Sequence, residues 1–240
     1  MIAARDQLIV ALDVSSAAQA QKIVSSLGDF ARFYKVGMQL YTAEGPTIVR
    51  ELVGSGRNVF LDLKYHDIPN TVGAAVREAG KLGVSLLTVH GAGGSKMLRA
   101  AAEAARESNP RMKVVAVTVL TSMDEEALHE VGVPGNLEKQ VVQLANLAIK
   151  SGCHGVVSSA REAKALRAHL GNDFLVVTPG VRPAGAALGD QARAVTPREA
   201  IAAGSTHLVV GRPITAAANP AVEAEKIIRE IEHASQLVAG

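Results

Sequence analysis

"LIVALDVSS" (residues 8–16) decides between two folds. It opens as an unbroken apolar run, the pattern of a parallel strand covered on both faces, and ends in an aspartate and two serines. A doubly wound dinucleotide-binding sheet would carry G-x-G-x-x-G directly after such a strand, and no such fingerprint follows here. Seven more runs of the same kind recur: RFYKVG (32–37), NVFLDLK (58–64), LLTVH (86–90), VVAVTVL (114–120), GVVSS (155–159), FLVVTPG (174–180) and HLVVGRP (207–213). Eight strands alternating with helical stretches describe an α/β chain folded as one (β/α)8 TIM barrel over 1–240, a fold whose usual length is about 250 residues.

The stretches between the runs are rich in alanine and carry helix punctuation. Ser16 can cap a helix ending at "SLGD", Asn70 or Thr71 can open one ending at "GKLG", and Ser95 can open "SKMLRAAAEAARES". In "TPREAIAAG", Thr196 is placed as N-cap, Pro197 as the first helical residue, Glu199 as the capping-box partner and Gly204 as the stop. The last helix sets Ile227, Ile228, Ile231, Ala234 and Val238 on one face. The connection 121–154 has room for an extra helix.

Composition excludes several classes of function. Charged residues are 20% of the chain and the net charge is +2, which gives no general basic field for nucleic acid. No apolar stretch reaches membrane-spanning length, and the first, LIVAL, ends at Asp13 without a cleavage pattern. A soluble, cytoplasmic protein is expected. The single cysteine, Cys153, excludes an intrachain disulfide and reads as a small buried residue rather than a nucleophile.

In a barrel of this kind the active site lies at the carboxyl ends of the strands. Those ends supply Asp13, Lys35, Asp62, Lys64, His90, Thr121, Ser122, Ser158, Gly180 with Arg182, and Gly211 with Arg212. "TPGVRP" (178–183) and "VGRPI" (210–214) repeat one theme at the loops where this fold usually holds phosphate. Glycine lets backbone N–H groups approach an anion, and arginine adds a charged fork. Between them "RPAGAALGDQARAV" (182–195) reads as a lid over a ligand.

The third strand end, "FLDLKYHDIPNT" (60–71), holds a D-x-K-x-x-D pattern of Asp62, Lys64 and Asp67. This is either a salt-bridged strand tip or a charged reaction centre. Buried charge is costly unless it is paired or used. The carboxylates could hold magnesium, but two lysines would compete with it, and His66 and His90 belong to no metal-ligand spacing. A metal-free network is expected, with His66 a packed or hydrogen-bonding residue.

"ALD" (11–13), "YKVG" (34–37), "DLKYHDIPNT" (62–71), "VTVLTSM" (117–123), "TPGVR" (178–182) and "VVGRPI" (209–214) together resemble the orotidine 5′-phosphate decarboxylase family, from the first strand to the last. The resemblance implies decarboxylation of orotidine 5′-phosphate to UMP without metal or organic cofactor. It implies a catalytic tetrad of Lys35, Asp62, Lys64 and Asp67, with Lys64 the proton donor and Asp13 and Lys35 at the ribose. It further implies a homodimer in which Asp67, Ile68 and Thr71 reach the partner's site. Thr121 or Ser122 would contact the pyrimidine, Arg182, Gly211 and Arg212 the phosphate, and Gln191 would join base and phosphate from the lid. The alternative on the same barrel is a magnesium-dependent sugar-phosphate enzyme, a hexulose-phosphate synthase or keto-gulonate-phosphate decarboxylase. Those share D-x-K-x-x-D but lack the "DIPNT" continuation. A non-catalytic phospho-ligand sensor would be expected to lose Lys64 or an aspartate, and neither is lost.

Overall fold

The structure, a computed structural model, describes residues 2–183 and 195–239. All eight strands form: β1 (Leu8–Ala11), β2 (Phe33–Gly37), β3 (Asn58–Tyr65), β4 (Leu86–His90), β5 (Lys113–Val117), β6 (Gly155–Val157), β7 (Leu175–Thr178) and β8 (His207–Val210). They run parallel in sequence order, and β1 closes on β8 through Leu8↔Leu208 and Ile9↔Val209. Closure leaves no strand edge unpaired, which is why short strands suffice.

Period-2 alternation divides each strand between two apolar layers. Ile9, Phe33, Phe60, Leu86, Val115 and Val177 fill the barrel interior. Leu8, Val10, Tyr34, Val59, Leu61 and Leu87 point the other way and pack under the helices. Burying each such side chain contributes about 1.5–3 kcal/mol. Continuous apolar runs are therefore required, since both faces of every strand are covered.

Several helix signals hold. Ser16 caps Ala17–Leu27 by accepting the Gln19 N–H at 3.3 Å. The capping box of Pro197–Ala202 is complete, with Glu199 N–H donating to Thr196 Oγ1 at 3.2 Å and Thr196 N–H to Glu199 Oε2 at 2.8 Å. Pro220–Ala239 buries Ile227, Ile228, Ile231 and Ala234.

Others shift. The helix after β3 is Pro69–Lys81, opened by Pro69 rather than by Asn70 or Thr71, and Ile68 at its cap makes no side-chain capping bond. Proline presets the helical φ and has no N–H to satisfy. The helix after β4 is Gly94–Ser108, one residue earlier than Ser95. The connection 121–154 holds two helices, Glu125–Glu130 and Leu137–Lys150, capped by Asp124 and Asn136. Met38–Glu44 and Thr47–Gly54 divide the β2–β3 connection at Gly45 and Pro46.

Cys153 is buried, and burial pushes its thiol up to about 12, so it is inert. Among the described residues no helix is long and apolar enough to cross a membrane.

One irregularity positions the site. β3 pairs Leu61 with Leu87, and the next pair is Tyr65 with Val89. The ladder advances four residues on β3 for two on β4, so β3 carries a bulge across 62–64. Within it Lys64 has φ +52°, the left-handed region, and it is the one non-glycine residue there among those described. Such a backbone costs about 1–2 kcal/mol and is found where surroundings hold it for a function.

Candidate active site

A cavity of about 440 Å³ opens at the carboxyl end of the barrel. β1, β2 and β3 contribute Asp13, Lys35, Asp62 and Lys64 to its lining, while the β7 and β8 ends contribute Gly180, Arg182, Gly211 and Arg212. Thr121 lines it from the β5 side. Phe60, Val157 and Val209 give it an apolar floor continuous with the barrel core.

The charges form a chain. Lys64 Nζ lies 2.9 Å from both Oδ1 and Oδ2 of Asp62. Lys35 Nζ lies 2.7 Å from Asp13 Oδ1 and 3.9 Å from Asp62 Oδ2. The Asp62 and Lys35 side chains are only 14% and 12% exposed, Lys64 is 27% exposed and Asp13 is 58% exposed. Two carboxylates and two ammonium groups thus alternate across the ends of three strands, each buried charge next to its opposite.

Why these side chains converge follows from the local backbone. Asp62 and Lys64 share strand parity with Phe60, which faces the barrel interior. The bulge then draws the Lys64 ammonium back onto its own strand's carboxylate. Lys64 N–H donates to Thr88 Oγ1 at 2.9 Å, and the same hydroxyl donates to Asp62 Oδ1 at 3.0 Å. At Gly37, a Cβ would approach Lys35 Nζ to 2.9 Å, so the bare backbone leaves the ammonium its place.

The β7 and β8 ends bring two guanidinium groups together. Arg182 is buried, and burial and then the charge of Arg212 push its pKa below the usual arginine value. A guanidinium stays charged at neutral pH, so the two repel each other across a surface suited to an anion. Gly180 has φ +77°, which a side chain rarely tolerates. The chain leaving β7 is tied to its return by the Val181↔Val195 bridge and by Arg182 N–H donating to Val195 O at 2.9 Å.

Some sequence candidates stand apart. Asp67 is exposed, and its Oδ1 accepts the N–H of Ile68 at 2.6 Å. Among the described residues it forms no ion pair, and the Lys64 ammonium pairs with Asp62 alone. Ile68, 66% exposed, and Thr71 also point outward. Ser122 is exposed and does not line the cavity. Ser158 is fully buried and donates to Glu162 Oε2 at 2.8 Å. Gln191 lies outside the described residues. His66 stacks on His90, with ring centres 5.1 Å apart, and burial, His66 and Lys64 lower the pKa of His90. Among the described residues no cluster of three or more metal-ligating side chains occurs.

Sequence reasoning missed Thr88 and Thr215. Thr215 follows "VGRPI" and lines the cavity. The signal for Thr88 was present in "LLTVH", a hydroxyl in the middle of a buried strand.

A family model described as the orotidine 5′-phosphate decarboxylase / HUMPS family matches residues 6–227. An orotidine 5′-phosphate decarboxylase of Moorella thermoacetica is 51% identical over 235 residues, covering 95% of this chain and 93% of that relative. One of Halorhodospira halophila is 52% identical over 225 residues, covering 94% and 95%. The crystal structure of orotidine 5′-phosphate decarboxylase from Lactobacillus acidophilus superposes with a TM-score of 0.85 at 41% identity, covering 93% of this chain and 98% of that one.

Proposed function

The chain belongs to the orotidine 5′-phosphate decarboxylase / HUMPS family, and from that membership we propose that it decarboxylates orotidine 5′-phosphate to UMP in de novo pyrimidine synthesis. The observation that carries this reading is the Lys64–Asp62 pair, 2.9 Å apart, in a cavity whose other strand ends carry Arg182 and Arg212. In this reading the whole barrel is one catalytic domain working in the cytoplasm.

Loss of CO2 from C6 of the pyrimidine leaves a carbanion whose electron pair lies in the ring plane and cannot delocalise. A cationic acid must therefore stand against the developing charge. The Lys64 ammonium does this and then gives its proton to C6. Asp62 orients that ammonium and also faces the departing carboxylate. Repulsion between two unit charges at about 4 Å is worth roughly 4 kcal/mol at an effective dielectric of 20. Enzymes lower barriers by about 8–23 kcal/mol, so repulsion is the smaller part. Preorganised stabilisation of the carbanion supplies the rest. Lys35, between Asp13 and Asp62, keeps the two carboxylates from repelling each other and fixes the strand tips against the ribose.

Arg182, Arg212 and the Gly211 backbone take the phosphate, and of Thr121 and Ser122 it is Thr121, which lines the cavity, that takes the pyrimidine. The family resemblance assigns Gln191, which lies outside the described residues, to contact with base and phosphate. Binding energy from the phosphate, remote from C6, is used to order the site. Asp67, Ile68 and Thr71 serve the site of a partner copy in a homodimer. The exposure of all three side chains supports that assignment.

The test is loss of substrate absorbance on mixing purified protein with orotidine 5′-phosphate in excess EDTA. Turnover unaffected by the chelator is expected, because Lys64 provides the positive charge that a metal would. Activity abolished by EDTA and restored by Mg2+ would move the chain to the sugar-phosphate branch.

A further inference from the structure

We propose that Thr88 is a positioning residue for the reaction, its single hydroxyl fixing both the orientation of the Asp62 carboxylate and the left-handed backbone of Lys64. Thr88 sits in the middle of β4 and is fully buried. Its neighbours Leu87 and Val89 pack in the outer apolar layer, so its own side chain faces the barrel interior. There the hydroxyl is placed to use both its capacities at once: Oγ1 accepts the Lys64 N–H at 2.9 Å and donates to Asp62 Oδ1 at 3.0 Å.

The bulge makes that hydroxyl necessary. Between the Leu61↔Leu87 and Tyr65↔Val89 pairs, β3 has three residues facing the single residue Thr88. The regular ladder cannot serve all three, and a buried N–H left without an acceptor is destabilising. Thr88 Oγ1 supplies a side-chain acceptor at the residue with φ +52°. Its proton also fixes which way Asp62 faces. With Oδ1 taken by Thr88 and Lys64, Oδ2 is left toward Lys64 and Lys35. Without the hydroxyl, Asp62 is free to rotate toward Lys35 and Lys64 to leave its left-handed backbone. Misplacing a catalytic group by about 1 Å can cost a factor of about 100 in rate.

The kinetic part rests on the function proposed above, while the structural part stands without it. Thr88→Val removes the hydroxyl at nearly constant volume, and Thr88→Ser keeps it. Crystal structures of both variants, kcat and KM for orotidine 5′-phosphate, and UMP affinity form the experiment. Thr88→Val is expected to shift the Asp62 carboxylate or the Lys64 φ and to lower kcat at least about tenfold. KM and UMP affinity should change by less than about threefold, since no phosphate or base contact is touched. Thr88→Ser should keep the geometry and most of kcat. If Thr88→Val does not fold, Thr88→Ala carries the same comparison with Thr88→Ser. Asp62 and Lys64 unmoved in the hydroxyl-free variant overturn the proposal, as does an equal loss of kcat in Thr88→Ser. Wild-type protein inactive on orotidine 5′-phosphate would overturn the proposed function instead, and the crystal structures would still decide the role of Thr88.

Discussion

Lys64 Nζ stands 2.9 Å from each carboxylate oxygen of Asp62, two residues earlier on the same strand, and the backbone between them is bulged. The ion pair is local in sequence, yet it faces a cavity built from distant strand ends. Lys35 stands 3.9 Å from the same carboxylate and is positioned to pair with it if Lys64 is removed.

Lys64→Ala is therefore expected to fold and to bind UMP while turnover falls at least about 10³-fold, combining lost proton donation with lost charge stabilisation. Steady-state kinetics and UMP titration check this. Near-normal turnover would remove Lys64 from the proton-donor role.

Arg212→Ala should discriminate between phosphorylated and bare substrate. Losing a charge-assisted hydrogen bond costs about 1.5–3 kcal/mol, roughly a tenfold to hundredfold loss in kcat/KM for orotidine 5′-phosphate. Orotidine, without the phosphate, should be much less affected. Equal losses on both would mean that Arg212 supports the loop rather than the ligand.

Complementation tests the proposed homodimer. Lys64→Ala and Asp67→Ala proteins should each be severely impaired. In a mixed dimer with composite sites, one site carries both lesions and the other carries none. Random co-assembly of equal amounts should recover roughly a quarter of wild-type activity, because half the dimers are mixed and half their sites are whole. Variants that mix yet recover nothing would return Asp67 to its own chain's site.

His207, at the start of β8, predicts an acid limit to stability. It is 8% exposed, edge-on to Phe33 at 6.1 Å, and burial lowers its pKa from 6.5 to about 4. The folded form holds it neutral, whereas the unfolded chain takes up a proton below pH 6.5. Its contribution is complete above that pH and is lost as pH falls toward 4, up to about 3 kcal/mol. Denaturant melts between pH 4 and 7 should show this slope, reduced in His207→Gln. An unchanged slope would assign the acid sensitivity to other groups.

Particular residues show how far the sequence could be read. The eight apolar runs were legible because a strand covered on both faces must be apolar throughout, and all eight form. The Thr196–Glu199 capping box was legible because its partners lie three residues apart. The start of the helix after β3 was misplaced, since Asn70 and Thr71 look like caps while Pro69 opens the helix by fixing its own φ. Ser122 and Ser158 both read as strand-end candidates, but Ser122 is exposed and does not line the cavity, while Ser158 is buried against Glu162.

Sequence alone determined the barrel, the family resemblance and the identities of the charges at the strand ends, because periodicity and motif spacing are properties of neighbouring residues. Tertiary structure decided which charges meet. Asp13 joins Lys35, and Lys35 approaches Asp62, only because β1, β2 and β3 lie side by side. It also decided that Asp67, three residues from Lys64, turns away, and that Thr88, twenty-four residues from Lys64, holds its backbone. Strand pairing brings distant residues within hydrogen-bond range, and a bulge can separate near ones, so contact follows register rather than sequence distance.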